Sequence, residues 1–290
     1  MTAVEKYAAP TSLTEAVKLL AENNATLLAG GTDLMLQTQS GLKAFTPLLL
    51  NLRRISELQG ISMSNGNIRV GALTTVTDIL QDSILLESAH VLPETADCFA
   101  CDQVRNSATI GGNICNASPA GDLIVPLLLL DADVELACWA DGKVATRSIP
   151  LGEFFVGPGK TQIQANEILT ATTFTLPERN YVAQFEKFGA RPALDISVVS
   201  VGIAGVREKG SLRGARVAFG AVAPTPLRGR ETETVIEGQA CTTEMIEEAG
   251  RQAAAEISPI SDVRASAWYR KELVRVLTGR VLRDVLQAED

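Results

Sequence analysis

Two pairs of adjacent glycines stand out among the residues whose type and spacing could do chemistry. Gly30 and Gly31 lie in "LLAGGTDL", residues 27–34, and Gly111 and Gly112 in "ATIGGNICNASPAGD", residues 108–122. Glycine permits positive φ and lets another group approach the backbone closely. Adjacent glycines can also turn several backbone N–H groups towards one point, which makes a concavity for anions. Thr32 and Thr109 add a hydroxyl beside each pair. Two such loops facing one another would hold both phosphates of a dinucleotide. In a chain of net charge -8, backbone dipoles rather than Lys and Arg would carry most of that neutralisation. Taken singly, each pair reads better as a tight turn between strand and helix.

Other chemistry finds less support. No GxGxxG follows a strand, which argues against a Rossmann site. "FFVGPGKT", residues 154–161, ends like a phosphate-binding P-loop, but Phe154 occupies the place of its first glycine and Pro158 removes a donor. We read that stretch as a loop between domains. Cys98 and Cys101 form a CxxC with Cys115 following, yet neither Cys138 nor Cys241 sits in a second CxxC. Small packed thiols therefore fit better than a Zn or Fe–S site. The 5 cysteines in a chain without a secretory leader do not suggest a disulfide framework. His90 is the only histidine and stands in what reads as a helix end, so capping or packing is the simpler role.

The elements that must position the glycines are legible. "TSLTEAVKLLAEN" is a helix with Ser12 and Glu15 in capping-box spacing and Leu13, Ala16, Val17 and Leu20 on one face. "TLLAGG" and "PLLLNL" are short buried strands. "ISMSNGNIRVGAL" and "VELACWADGKVATRSIPL" are hairpins turning at Asn65-Gly66 and Asp141-Gly142. "TTVTDILQDSILLESAHVL" reads as helical. From about residue 178 the pattern changes to strands with Gly turns, one at Lys209-Gly210, followed by helices. In the last helix Trp268, Leu273, Val276, Leu277 and Val281 fall near one stripe. We therefore expect an α+β protein with two domains, 1–177 and 178–290.

At 290 residues and 46% hydrophobic, the chain can bury a substantial core. Its acidic balance argues against nucleic acid as a main partner. The apolar run from Leu123 is interrupted by Pro126, Asp131 and Asp133, so no membrane span is expected. "MTAVEKYAAPTS" lacks the features of a secretory signal, and a cytoplasmic location is expected.

The ordered set of motifs resembles the FAD-binding medium subunit of the molybdenum hydroxylases, of the xanthine dehydrogenase and carbon monoxide dehydrogenase types. "LLAGGTDL" and "QVRNSATIGGNICNASPAGDLIVPLLLLDADVEL" carry it. "NEILTATTFTLP", "FEKFGARPALDISVVSVG", "VAFGAVAPTPLRG" and "DVRASAWYRKELVRVLTGRVL" continue it in order over nearly the whole chain.

That resemblance implies an FAD-binding domain of two α/β subdomains, of the vanillyl-alcohol-oxidase-like type, and a C-terminal α+β domain with covering helices. It implies cofactor contacts at Leu28, Ala29, Gly30, Gly31, Thr32 and Asp33, and at Thr109, Ile110, Gly111, Gly112 and Asn113. Asn116, Ser118 and Asp122 follow in the same motif, and Asp122 would suit ribose or ribityl hydroxyls. Leu169 matches an apolar contact, and Lys187 and Asp195 match positions near the isoalloxazine. Ala100 and Cys101 align with a segment passing the flavin ring, where relatives often carry Gly in place of Cys101. A cation at Lys187 would stabilise reduced flavin.

The resemblance further implies a heteromeric complex, expected as a dimer of heterotrimers. A large partner would hold a Mo-molybdopterin cofactor and a small one two [2Fe-2S] clusters. Electrons would pass through FAD to an external acceptor, with no catalytic side chain and no metal in this chain. A stand-alone flavin oxidase or reductase is the alternative, and a non-redox interaction subunit a third reading.

Overall fold

The structure, a computed structural model, describes residues 4–191 and 195–287. The chain opens with two right-on-schedule strand–helix–strand steps. Strand β1 (Lys6–Ala8) leads through helix α1 (Leu13–Glu22) to β2 (Ala25–Leu28), and β2 through α2 (Leu34–Gln39) to β3 (Leu48–Asn51). The three strands form a parallel sheet in the order β1-β3-β2. Ser12 caps α1 by accepting from the Glu15 N–H, and Ala16, Val17 and Leu20 bury the face the periodicity predicts. The Glu15 carboxylate accepts from Thr11 N, one residue before the cap.

Next comes an antiparallel sheet. Its first strands, β4 (Ile61–Ser64) and β5 (Asn67–Gly71), turn at Asn65-Gly66, both with positive φ. That pair of left-handed residues matches the twist of the flanking strands. Helices α3 (Val76–Gln81), α4 (Ser83–Ser88), α5 (Val91–Asp97), α6 (Asp102–Arg105), α7 (Ile110–Asn116) and α8 (Ile124–Leu129) intervene. Strands β6 (Asp133–Ala140) and β7 (Lys143–Pro150) form the second expected hairpin, at Asp141-Gly142. A one-turn helix α9 (Leu151–Phe154), a two-strand hairpin of β8 (Phe155–Gly157) and β9 (Lys160–Thr161), and the buried strand β10 (Ile168–Thr175) complete the layer. The sheet order is β4-β5-β10-β6-β7.

The region expected as one helix from residue 74 to 92 is three. Asp82 ends α3, and its side chain accepts from Leu85 N to begin α4, offering the backbone an alternative to continuing. Ala89 then leaves the helical region, and His90 stands at the start of α5, not at a helix end. Its Nε2 lies 2.9 Å from the Ala183 carbonyl oxygen. The stretch with Gly159 differs from expectation too. It is a small hairpin ahead of β10, and its Gly159 N–H donates to the Ala117 carbonyl just past α7.

The second half is a four-stranded antiparallel sheet, β11 (Tyr181–Phe188), β12 (Val199–Glu208), β13 (Ser211–Gly220) and β14 (Leu227–Arg228). Lys209-Gly210 makes its tight turn. Helices α10 (Arg230–Ile236), α11 (Thr243–Glu256) and α12 (Ala267–Gln287) cover it. Leu273, Leu277 and Val281 are buried in α12 as expected, but Trp268 and Val276 are exposed. The real inner stripe also takes in Arg270, Val274, Thr278, Leu282 and Val285. Buried Arg270 donates to the Val198 and Ala221 carbonyls and to Asp262, so a cation the periodicity assigns to solvent anchors the helix.

Three apolar cores result: α1 against the first sheet, the second sheet with its helices, and the C-terminal sheet with α10–α12. No helix among the described residues is long and apolar enough to cross a membrane.

Candidate cofactor site

The two glycine loops are brought to one place by different supports. The first follows β2 directly. Its Gly30 packs so closely on the segment before α7 that an added Cβ would collide with the Ser107 carbonyl. Gly31 has φ +78°, a left-handed value that an L side chain adopts only with strain. The second loop is the first turn of α7. Thr109 caps it, accepting from Gly112 N at 3.1 Å. Gly111 lies against Ala72, where a Cβ would come within 2.7 Å of both the Ala72 side chain and carbonyl.

Between the loops lies a cavity of about 450 Å³. Its walls include Ala29 to Asp33 from the first loop, and Thr109, Gly111, Gly112, Asn113 and Asn116 from the second. Leu52, Leu58, Leu73, Ile168 and Leu169 make an apolar floor. A second cavity of about 410 Å³ lies against Leu28 to Thr32, with Asn51, Arg53 and Gln103 on its other walls.

The loops differ in what their amides do. Ile110 and Gly111 donate to the Thr74 and Ala72 carbonyls, and Gly112 and Asn113 donate to Thr109. Thus the second loop spends its N–H groups on protein. Among the described residues, the N–H groups of Gly30, Gly31, Thr32 and Asp33 have no protein acceptor. The expectation that both loops present amides to an anion therefore narrows to the first.

A polar bridge ties the loops. Gln37 of α2 donates to Asn116 Oδ1 at 2.8 Å, and Asn116 Nδ2 donates to the Asp33 carboxylate. One buried polar atom here is left over: Asn113 Oδ1 has no partner. Cys115 of α7 is exposed and lines the cavity.

Several expected contacts lie elsewhere. Ile110 is fully buried core, with no side-chain surface on the cavity. Ser118 caps the turn after α7 by accepting from Ala120 N. Ala100, with φ +45°, and Cys101, the N-cap of α6, line neither cavity, although neighbouring Phe99 and Gln103 do. Asp195 organises its own turn. Desolvation would raise its carboxyl, but N–H donors from Arg191 and Ala190 outweigh it and hold it below the usual range.

Asp122 and Lys187 meet each other. Lys187 Nζ stands 2.6 Å from Asp122 Oδ2, and Ser197 Oγ donates to Asp122 Oδ1 at 2.5 Å. The pair is buried and joins the end of the second glycine segment to β11. Burial pushes the Asp122 carboxyl up, against the pull of the Lys187 ammonium and both hydrogen bonds. Gln37, Lys43, Cys115 and Gly159 line the cavity without any local signal of it. His90 lines neither cavity. Among the described residues no group of His, Cys, Asp and Glu side chains is arranged to hold a metal ion.

A glycine-walled cavity with four unengaged amides and an apolar floor defines a dinucleotide-binding protein. The comparisons specify which. Residues 2–178 match the family described as the FAD binding domain in molybdopterin dehydrogenase, and residues 184–285 match the CO dehydrogenase flavoprotein C-terminal domain. The chain belongs to this family of FAD-binding oxidoreductase subunits. It is 32% identical over 285 residues to the xanthine dehydrogenase FAD-binding subunit of Escherichia coli O157:H7, covering 97% of this chain and 96% of that one. It is 33% identical over 282 residues to the glyceraldehyde dehydrogenase medium chain of Sulfolobus acidocaldarius, covering 96% and 97%. A chain of the carbon monoxide dehydrogenase structure from Hydrogenophaga pseudoflava superposes with TM-score 0.92 at 29% identity, covering 99% of each.

FAD fits the residues present. Among the described residues, the first loop offers unengaged amides and Asn113 an unpartnered carbonyl, both on the cavity wall.

Proposed function

We propose that this chain is the electron-transfer subunit of a heteromeric molybdenum hydroxylase. The observation that carries the reading is the single cavity walled by both glycine loops. Gly30 to Asp33 hold the diphosphate of FAD through backbone N–H groups, with Thr32 adding a hydroxyl. Thr109, Gly111 and Gly112 supply the close opposing wall, and Asn113 and Leu169 contact the cofactor. FAD held by these residues would supply the redox chemistry between the partner clusters and an external acceptor. Lys187 reaches the flavin region as one half of a pair with Asp122, so its field there is set by that carboxylate. Asp195 shapes the loop beside it.

The partners on this reading are a large Mo-molybdopterin subunit and a small subunit with two [2Fe-2S] clusters, assembled in the cytoplasm as a dimer of heterotrimers. Residues 1–177 carry the cofactor and residues 178–290 close over it. The match to FAD-binding subunits and medium chains supports the assembly.

The test is purification of the chain alone and with its co-expressed partners. Both preparations should show flavin absorbance, and substrate should reduce the flavin only in the complex. Turnover of a small molecule by the isolated chain would favour the stand-alone oxidase. A complex that takes up no FAD would overturn the proposal.

A further inference from the structure

The cavity holds an electrostatic asymmetry. Among the described residues lining it, Lys43 is the only cation and Asp33 the only anion. Asp33 is engaged by Asn116. Lys43 lies on the exposed loop between α2 and β3, and its backbone N–H donates to the Gln37 carbonyl at 3.1 Å. Among the described residues its ammonium has no ion-pair or hydrogen-bond partner. Leu42 beside it also lines the cavity although it is 83% exposed. The loop thus offers one free cation and one uncovered aliphatic side chain to the same space.

Two further facts place that charge. Lys43 lines the same cavity as Gly112, Asn113 and Cys115 of α7, so its loop faces that wall. The Gln37 bridge to Asn116 fixes the end of α2, from which the Lys43 loop departs. An anion held by the first loop's amides would enter a chain of net charge -8. Backbone dipoles alone leave most of a doubly charged diphosphate unneutralised.

We infer that Lys43 is a cofactor-binding residue, the cation that the exposed loop brings to the diphosphate of FAD. Leu42 covers the adjoining apolar part of the nucleotide. This rests on the FAD reading above. It adds a side chain that neither glycine motif contains, on a loop that must be in place for tight binding.

The test measures FAD affinity of the full-length apo chain by quenching of flavin fluorescence, at low and high salt. Lys43→Gln, Lys43→Arg and a control at a remote turn, Lys209→Gln, are compared with wild type. Lys43→Gln should weaken FAD binding about tenfold at low salt, with the gap narrowing as salt screens the charge. Lys43→Arg should stay within about threefold, because it keeps the charge and the reach. The apo thermal midpoint should be unchanged in each, which separates binding from folding. Equal FAD affinity in Lys43→Gln and wild type would overturn the assignment of Lys43 alone. So would a loss that salt does not alter and Lys43→Arg shares. A wild-type chain that binds no FAD would overturn the FAD reading instead.

Discussion

The two glycine loops look alike in sequence and do different work. The first ends a parallel strand, carries one glycine at φ +78°, and leaves four amides without acceptors among the described residues. The second is the capped start of a helix, and its amides are committed to Thr74, Ala72 and Thr109. One loop leaves its amides unengaged and the other is a close, rigid wall. A glycine pair therefore reports a need for space or for unusual backbone. Which of these applies depends on where the neighbouring carbonyls lie.

The strongest challenge to this contrast lies where the second segment is anchored. Lys187→Met would leave Asp122 buried without its cation and should cost about 4 kcal/mol at neutral pH. The sign follows from the raised Asp122 carboxyl. A folded-state pKa above the unfolded one favours folding at pH below the unfolded pKa, and that benefit disappears as pH rises through the folded value. Removing Lys187 raises that value further. The variant should therefore be least stable at neutral to alkaline pH and recover towards pH 5, in thermal melts across that range. A deficit independent of pH would mean that Asp122 is not the group responsible.

Gly30→Ala tests the seam between the loops. The new methyl would meet the Ser107 carbonyl, so the loops must part, at about 2–3 kcal/mol and with loss of bound flavin. Flavin content and the denaturant midpoint should fall together. Gly31→Ala should act more narrowly. Its cost of about 1–2 kcal/mol comes from backbone conformation, and FAD affinity should drop about tenfold as the amides turn away. By contrast, Thr109→Ala removes only a helix cap, at about 1 kcal/mol, and should spare most FAD binding. If Thr109→Ala lost more flavin than Gly31→Ala, the division of labour would be reversed. The smallest effect is expected from Gln37→Leu, about 0.5–1 kcal/mol in FAD binding energy measured by titration, through the loosened bridge to Asn116.

Local pattern was a reliable guide wherever one residue type answers a local demand. Asn65-Gly66, Asp141-Gly142 and Lys209-Gly210 are all tight turns because each needs consecutive positive φ values. The face of α1 was legible because Ala16, Val17 and Leu20 meet a sheet on one side only. Pattern failed where a partner distant in sequence decides. Trp268 and Val276 fit a helical stripe but face outwards, while Arg270 turns in to carbonyls just before β12 and just after β13. The run from residue 74 to 92 is helix-like throughout, yet Asp82 prefers to cap. Gly159 sits in a sequence that mimics a phosphate loop in part, and it reaches the site only because β8 and β9 fold back beside α7.

The sequence by itself determined the α+β class, the hairpins, both glycine pairs and, through its ordered motifs, the resemblance to FAD-binding subunits. Those depend on short-range sterics and on residue order, which the chain carries without folding. Only the tertiary structure decided that the first loop keeps its amides unengaged, that Asp122 and Lys187 are partners, and that Lys43 stands at the cavity. Each depends on which carbonyl, carboxylate or open space lies across from a group after distant segments pack, and no local spacing encodes that.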